Sequence, residues 1–268
     1  MIFFRKKYSI IEMLYQNIKL LREINKARKE REFVKHFENT HEAHQFQDSR
    51  VTILFEKYRN RFKDRQLEPL IAYLMRDMEF CNFESSSSVP SIYETQYIRY
   101  KNRYDKLRDI NLLSHTIRVF IKALELETNM PDRFMEQIAL LTLAHDFGKN
   151  KKIYSLVASE GSREAHNHIS ALYLKIVMQR IQNYSDEFIN SMCDSIYNHH
   201  SNNRIQQIAV PNSTYGQKED LSLSFVENEF IKYLNICDHA ARTEELRIIE
   251  QKILETESNK FKEWKGIK

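Results

Sequence analysis

Apolar residues recur at spacings of three and four along most of this chain, with charged residues filling the gaps. That period belongs to amphipathic helices and not to strands. From residue 92 onward it predicts helices over about 111–127, 133–147, 164–182, 186–200 and 226–256. Upstream, Ile11, Leu14, Ile18 and Leu21 predict a helix over 8–35. Its first half is expected to pack, and its charge-dense second half, from Arg22 to Lys35, to project into solvent. A further helical block over 51–83 offers Ile53, Leu54, Tyr58, Phe62, Leu70, Ile71 and Leu74 as core, with Pro69 opening its second helix.

Residues 84–91 form the one low-complexity stretch, rich in serine, and read as a linker. The expected organisation is therefore an N-terminal helical arm over 1–91 and a helical domain over 92–268. The arm is read as a regulatory or dimerising region, with a homodimer through the N-terminal helices as the candidate assembly. Gly148 reads as a helix C-cap, and residues 201–222 as the longest polar connection, of a length that tends to be functional or disordered.

Composition narrows the class. Only 4 Gly and 4 Pro occur in 268 residues, so tight turns are scarce and an all-α fold is expected. Hydrophobic content of 42% fits a soluble globular chain. Charges at Arg5, Lys6, Lys7, Glu12 and Lys19 break up the apolar N-terminus, which excludes a transmembrane segment there and favours packing over a membrane-surface role. Three cysteines, Cys81, Cys193 and Cys237, are odd in number and make no CxxC pair, which favours a reducing cytoplasm over a disulfide framework. A net charge of +4 is mild; it suits an anionic substrate without announcing nucleic-acid binding.

The candidate chemistry lies in polar residues that interrupt apolar stripes. His145 and Asp146 end the apolar run ALLTLAHDFGKN. His115 shares a stripe with Leu112, Val119 and Ala123, and His199 shares one with Ile189, Met192 and Ile196, with His200 four residues after Ile196. Asp238 takes a core position beside Ile231, Leu234 and Ala241. A buried unpartnered carboxylate or imidazole costs several kcal/mol, so one such residue alone reads as hydrogen-bonded core, whereas several in one domain point to a shared cation. His166 and His168 each align with apolar neighbours, and the pattern does not separate them. His41 and His44 read as solvated.

Histidines with two aspartates suit a borderline divalent ion. Asp146 can use both oxygens and bridge two such ions, with a hydroxide between them as nucleophile. Lys149 is placed to offset developing charge on a phosphoryl oxygen. Arg204, in the long connection, is a second candidate for phosphate contact, with Lys218 behind it. Ser114, Ser170 and Asn111 have ordinary capping or packing roles.

In order along the chain, LLSHTIRV, LAHDFGK, HNHISAL, IYNHHS and ICDHAAR resemble the HD-domain superfamily of metal-dependent phosphohydrolases. The resemblance covers about residues 110–245, is closest to the binuclear branch, and leaves residues 1–91 outside it. It implies an HD-type helical bundle and selects His166 over His168, although Asn167 stands where Pro is usual. By the same resemblance one ion takes His115, His145, Asp146 and Asp238, and the other shares Asp146 and takes His166, His199 and His200. Iron or manganese leads, with zinc, magnesium, nickel and cobalt as alternatives. The Gly-Tyr-Pro loop of the HD-GYP phosphodiesterases has no counterpart, and Asn111 replaces the Glu of three-metal members, so two ions are expected. The implied activity is phosphoester hydrolysis on a nucleotide or cyclic dinucleotide. The alternatives are a nucleic-acid-processing nuclease or relaxase-like protein and a regulatory HD module with little activity.

Overall fold

Local signals set the helix ends. In the computed structural model, residues 10–42, 45–89, 107–158, 164–200 and 225–264 are described. They contain nine α-helices, three short 3-10 turns and no strand, so the fold is an all-α bundle as expected. The long helix α1 covers Ile10–Glu42. Asp48 caps α2, Ser49–Arg61, by accepting from the Arg50 amide, and Pro69 sits in the first turn of α3, Glu68–Phe80. Asn111 caps α4, Leu112–Leu124, through the Ser114 amide, and Pro131 precedes α5, Asp132–Ala144. Asn150 caps the short α6, Lys151–Val157. Then come α7, His166–Ile181, α8, Asp186–Asn198, capped by Ser185, and α9, Phe225–Trp264.

Helix α4 lies between α5 and α9, while α7 packs along α8 and against the 3-10 turn Phe147–Lys149. The apolar stripes behave as their spacing dictates: Leu112, Val119, Ala123, Met192, Ile196, Leu234 and Ala241 are all buried. Each large aliphatic side chain removed from water in this way contributes roughly 1.5–3 kcal/mol. No helix among the described residues is long and apolar enough to cross a membrane.

Three expectations change. First, α1 packs with its other half. Leu14, Ile18 and Leu21 are exposed, whereas Phe33, His36 and Thr40 are buried against the body. Phe33, His36, Phe37 and Thr40 make a stripe of their own inside the charged stretch; the Phe33 ring packs tilted against Tyr173 and the Phe37 ring stacks on Tyr73. Second, Ile53 is 58% exposed, because the buried face of α2 is Val51, Leu54, Phe55 and Tyr58. Third, the serine-rich segment is not a solvated linker up to Val89. Phe83, just before it, packs edge-on against Phe147, Ser87 bridges to Asn111, and Ser88 is fully buried. The hydrophobic core is continuous across residue 91, with Leu70, Ile71 and Leu74 in one cluster with Phe120 and Leu140.

Candidate metal centre

The second half of helix α5, Ile138–Ala144, is apolar apart from Thr142; His145 closes the helix and the chain bends at Asp146 into the Phe147–Lys149 turn. The bend puts the carboxylate at the convergence of α4, α7, α8 and α9. Asp146 Oδ2 lies 3.4 Å from His115 Nε2 and 3.4 Å from His145 Nε2. Its other oxygen, Oδ1, lies 3.4 Å from His166 Nε2. Asp238 Oδ1 lies 3.2 Å from His115 Nε2 on the first side, and His200 Nε2 lies 2.9 Å from His166 Nε2 on the second. His199 stands between the halves, its ring 5.6 Å from that of His145 and 6.3 Å from that of His166.

Two donor groups result, His115–His145–Asp146 and His166–His199–His200, and within each the donor atoms lie within 4.8 Å of one another. Asp146 presents one oxygen to each. An ion held at about 2.1 Å sets neighbouring donors about 3.0–3.4 Å apart, for octahedral and tetrahedral angles respectively. The histidine–carboxylate separations of 3.2–3.4 Å fall in that range, and the His166–His200 separation of 2.9 Å lies just below it.

Three of the imidazoles are turned so that Nδ1 is engaged away from the centre. His145 Nδ1 meets the Thr142 carbonyl at 2.9 Å, His199 Nδ1 meets the Ile196 carbonyl at 2.5 Å, and His115 Nδ1 meets Glu245 Oε1 at 3.0 Å. In the neutral ring, an Nδ1 proton donated outward leaves the Nε2 lone pair facing inward, the arrangement that metal-bound histidine requires. His115 Nε2, His145 Nε2, His199 Nε2, Asp146 Oδ1 and Asp238 Oδ1 are buried without a hydrogen-bond partner. Leaving such atoms unsatisfied costs about 1–3 kcal/mol each, and a cation at their focus removes the penalty. These residues fit divalent ions.

The charge balance differs between the halves. Burial works against protonation of His115, but Asp146, Asp238 and Glu245 together outweigh it and raise its pKa to about 9. Burial also opposes ionisation of Asp146, yet His145 and Lys149 hold it well below the usual carboxylate range. On the other side burial pushes His199 far down, and His200 falls to about 4 through burial and the neighbouring His166. One half is therefore rich in anionic charge, while His199 and His200 in the other are held neutral.

Sequence candidates fall in four groups. His115, His145, Asp146, His166, His199, His200 and Asp238 are brought together; His200 is the most exposed of the histidine donors. His168 is turned away and stacks on Tyr197 at 3.9 Å. Lys149 is buried beside the cluster, its Nζ donating to Asp146 Oδ2 at 2.6 Å and to the Ser88 carbonyl at 3.0 Å. Arg204, Lys218 and the long connection lie outside the described residues, as does His44.

Several contributors escaped the sequence reading. Glu245 is fully buried and accepts from Arg242 at 3.1 Å as well as facing His115. Arg242 also donates to both Ser88 oxygens, at 2.9 and 2.7 Å, which fastens the serine segment over the centre. Asn167 donates to the Tyr197 carbonyl and ties the start of α7 to the end of α8. Gly148 is no C-cap. A Cβ there would sit 2.1 Å from the His166 carbonyl oxygen, so glycine is what lets the His145–Asp146 turn approach the first turn of α7. Its amide donates to Ser170 Oγ at 2.8 Å, which fixes that approach.

No family model, curated protein or solved structure matches the chain.

Proposed function

We propose that this chain is a metal-dependent phosphohydrolase or phosphodiesterase of the HD-domain type, acting on a nucleotide or cyclic dinucleotide. The observation that carries the reading is the ring of partnerless buried donor atoms around a carboxylate whose two oxygens face two separate histidine groups. Ordinary core packing does not gather five such atoms into two adjoining donor groups.

In this reading His115, His145, Asp146 and Asp238 hold one ion, while Asp146, His166, His199 and His200 hold the other, with iron or manganese first among the candidates. When bound, the ions supply Lewis-acid polarisation of a phosphoryl oxygen and lower the pKa of water. The chain's own groups do the positioning. Glu245 and the Thr142 and Ile196 carbonyls hold the imidazoles in one tautomer. Lys149 keeps a positive charge against Asp146 Oδ2 and next to the place where phosphate charge would develop. Arg242, 14% exposed and 3.8 Å from Asp238, adds a second cation at the edge of the cluster.

The test is a hydrolysis screen of the metal-loaded full chain across mononucleotides, cyclic dinucleotides and single-stranded oligonucleotides. Turnover of a small phosphoester that disappears in Asp146→Ala is the expected result. Turnover of oligonucleotides alone would move the reading to nucleic-acid processing. No turnover with any ion would overturn the enzymatic reading.

A further inference from the structure

A second set of ligand-type side chains is buried away from Asp146, where α1 meets α3. His36 of α1, with Asp77 near the end of α3 and Cys81 at its C-cap, are each at least nine-tenths buried. Asp77 and Cys81 are four residues apart and so share one face. Their donor atoms form a triangle. His36 Nε2 lies 2.7 Å from Asp77 Oδ1, Asp77 Oδ1 lies 3.5 Å from Cys81 Sγ, and Cys81 Sγ lies 3.9 Å from His36 Nε2. Tyr173 of α7 closes over it, its hydroxyl donating to Asp77 Oδ2 and standing 3.5 Å from His36 Nε2.

Imidazole, carboxylate and thiol are the donor types of tetrahedral zinc sites. A tetrahedral ion with bonds of about 2.0–2.3 Å needs its donors about 3.4–3.6 Å apart. Both distances to the sulfur are within a few tenths of an ångström of that, and the His36–Asp77 contact reaches it by opening less than about 1 Å. Charge points the same way. Among the described residues no lysine or arginine pairs with Asp77, whereas a divalent ion with one carboxylate and one thiolate is neutral as a unit and removes the cost of burying each.

We propose that His36, Asp77 and Cys81 bind a zinc-type ion, with the Tyr173 hydroxyl at the fourth position, and that this ion fastens α1 to the helical body. The site shares no donor with the Asp146 cluster and stands or falls independently of it.

Cobalt(II) reports the site directly. The Asp146 cluster offers only nitrogen and oxygen donors, so a thiolate-to-cobalt charge-transfer band in the near ultraviolet separates the sites. Titration of the full chain should raise this band to a plateau whose intensity corresponds to one thiolate-bound cobalt per chain, reached within about three equivalents because the Asp146 cluster competes for the ion. Cys81→Ser should abolish it, and Asp146→Ala should leave it. Zinc-edge X-ray absorption on the unsubstituted chain needs no variant and should show a sulfur neighbour at about 2.3 Å. A band that survives Cys81→Ser would overturn the proposal, as would a folded chain saturated with zinc or cobalt that shows neither band nor sulfur neighbour. Phosphoester turnover without the band would sink this site alone.

Discussion

Replacing Gly148 by alanine adds one methyl at the tightest point of the candidate centre. The new Cβ would stand 2.1 Å from the His166 carbonyl oxygen and 2.9 Å from both the His166 carbonyl carbon and Ile169 Cβ. Ordinary van der Waals contact with that oxygen requires about 1.3 Å of separation to be gained. The obstacle is backbone in the first turn of α7, so no side-chain rotation relieves it. Overpacking of a well-filled interior costs about 1–3 kcal/mol, and a clash with backbone belongs at the upper end. The same displacement acts on metal binding, because His166 Nε2 and Asp146 Oδ1 now lie 3.4 Å apart and ligand distances tolerate only about 0.2 Å. Urea unfolding in excess chelator isolates the packing cost, with a loss of roughly 3 kcal/mol expected for Gly148→Ala. Metal titration of the folded variant should show weakened binding on the His166 side. An alanine variant within about 0.5 kcal/mol of the parent and unchanged in metal affinity would refute the claim that this close approach positions the site.

Other outcomes follow from single contacts. Glu245→Gln keeps the shape but removes the charge behind His115, and metal affinity by calorimetric titration should fall about 10–100-fold; unchanged affinity would remove Glu245 from the positioning role. Asp146→Ala should lose the ions of both histidine groups and hydrolysis together, whereas His168→Ala, whose ring rests on Tyr197, should keep both, as measured by elemental analysis and turnover. Asp48→Ala removes the cap of α2 and should lower stability at neutral pH by about 1 kcal/mol. Its side-chain bond to Arg50 depresses the Asp48 pKa below the ordinary 3.8, so this stabilisation is present above that value and is lost as pH falls through the folded-state pKa. Parent and variant stabilities that fail to converge in acid would contradict that assignment.

The fold class and most of the clustered side chains are legible because a polar residue on an apolar stripe of period 3.6 has a direction; His166 is told from His168 only by the family resemblance. Leu112, His115, Val119 and Ala123 share a face whatever their partners are, and the same holds for Ile231, Leu234, Asp238 and Ala241. Carried one step further, the second stripe reaches Glu245, and that continuation was the available signal for it. It lay hidden because Glu244 and Glu245 stand together in a charged stretch and only the register tells them apart. The buried half of α1 was obscured in the same way, since Phe33, His36 and Thr40 are scattered among lysines, arginines and glutamates.

Ser88 carried no local signal. It is one of four consecutive serines, and its burial depends on Lys149 and Arg242, which are distant in sequence. Gly148 owes its place to packing and not to capping. A glycine after a helix suggests a cap, and only the packed position of α7 reveals that the missing Cβ is what matters.

The central claim is that Asp146 joins two metal-binding groups, and anomalous scattering from crystals of the manganese-loaded chain tests it most directly. The account expects two peaks flanking the Asp146 carboxylate about 3.5–4 Å apart, one against His115, His145 and Asp238 and the other against His166, His199 and His200. A crystal with the Asp146 carboxylate free of metal on both sides, at saturating manganese, would contradict it.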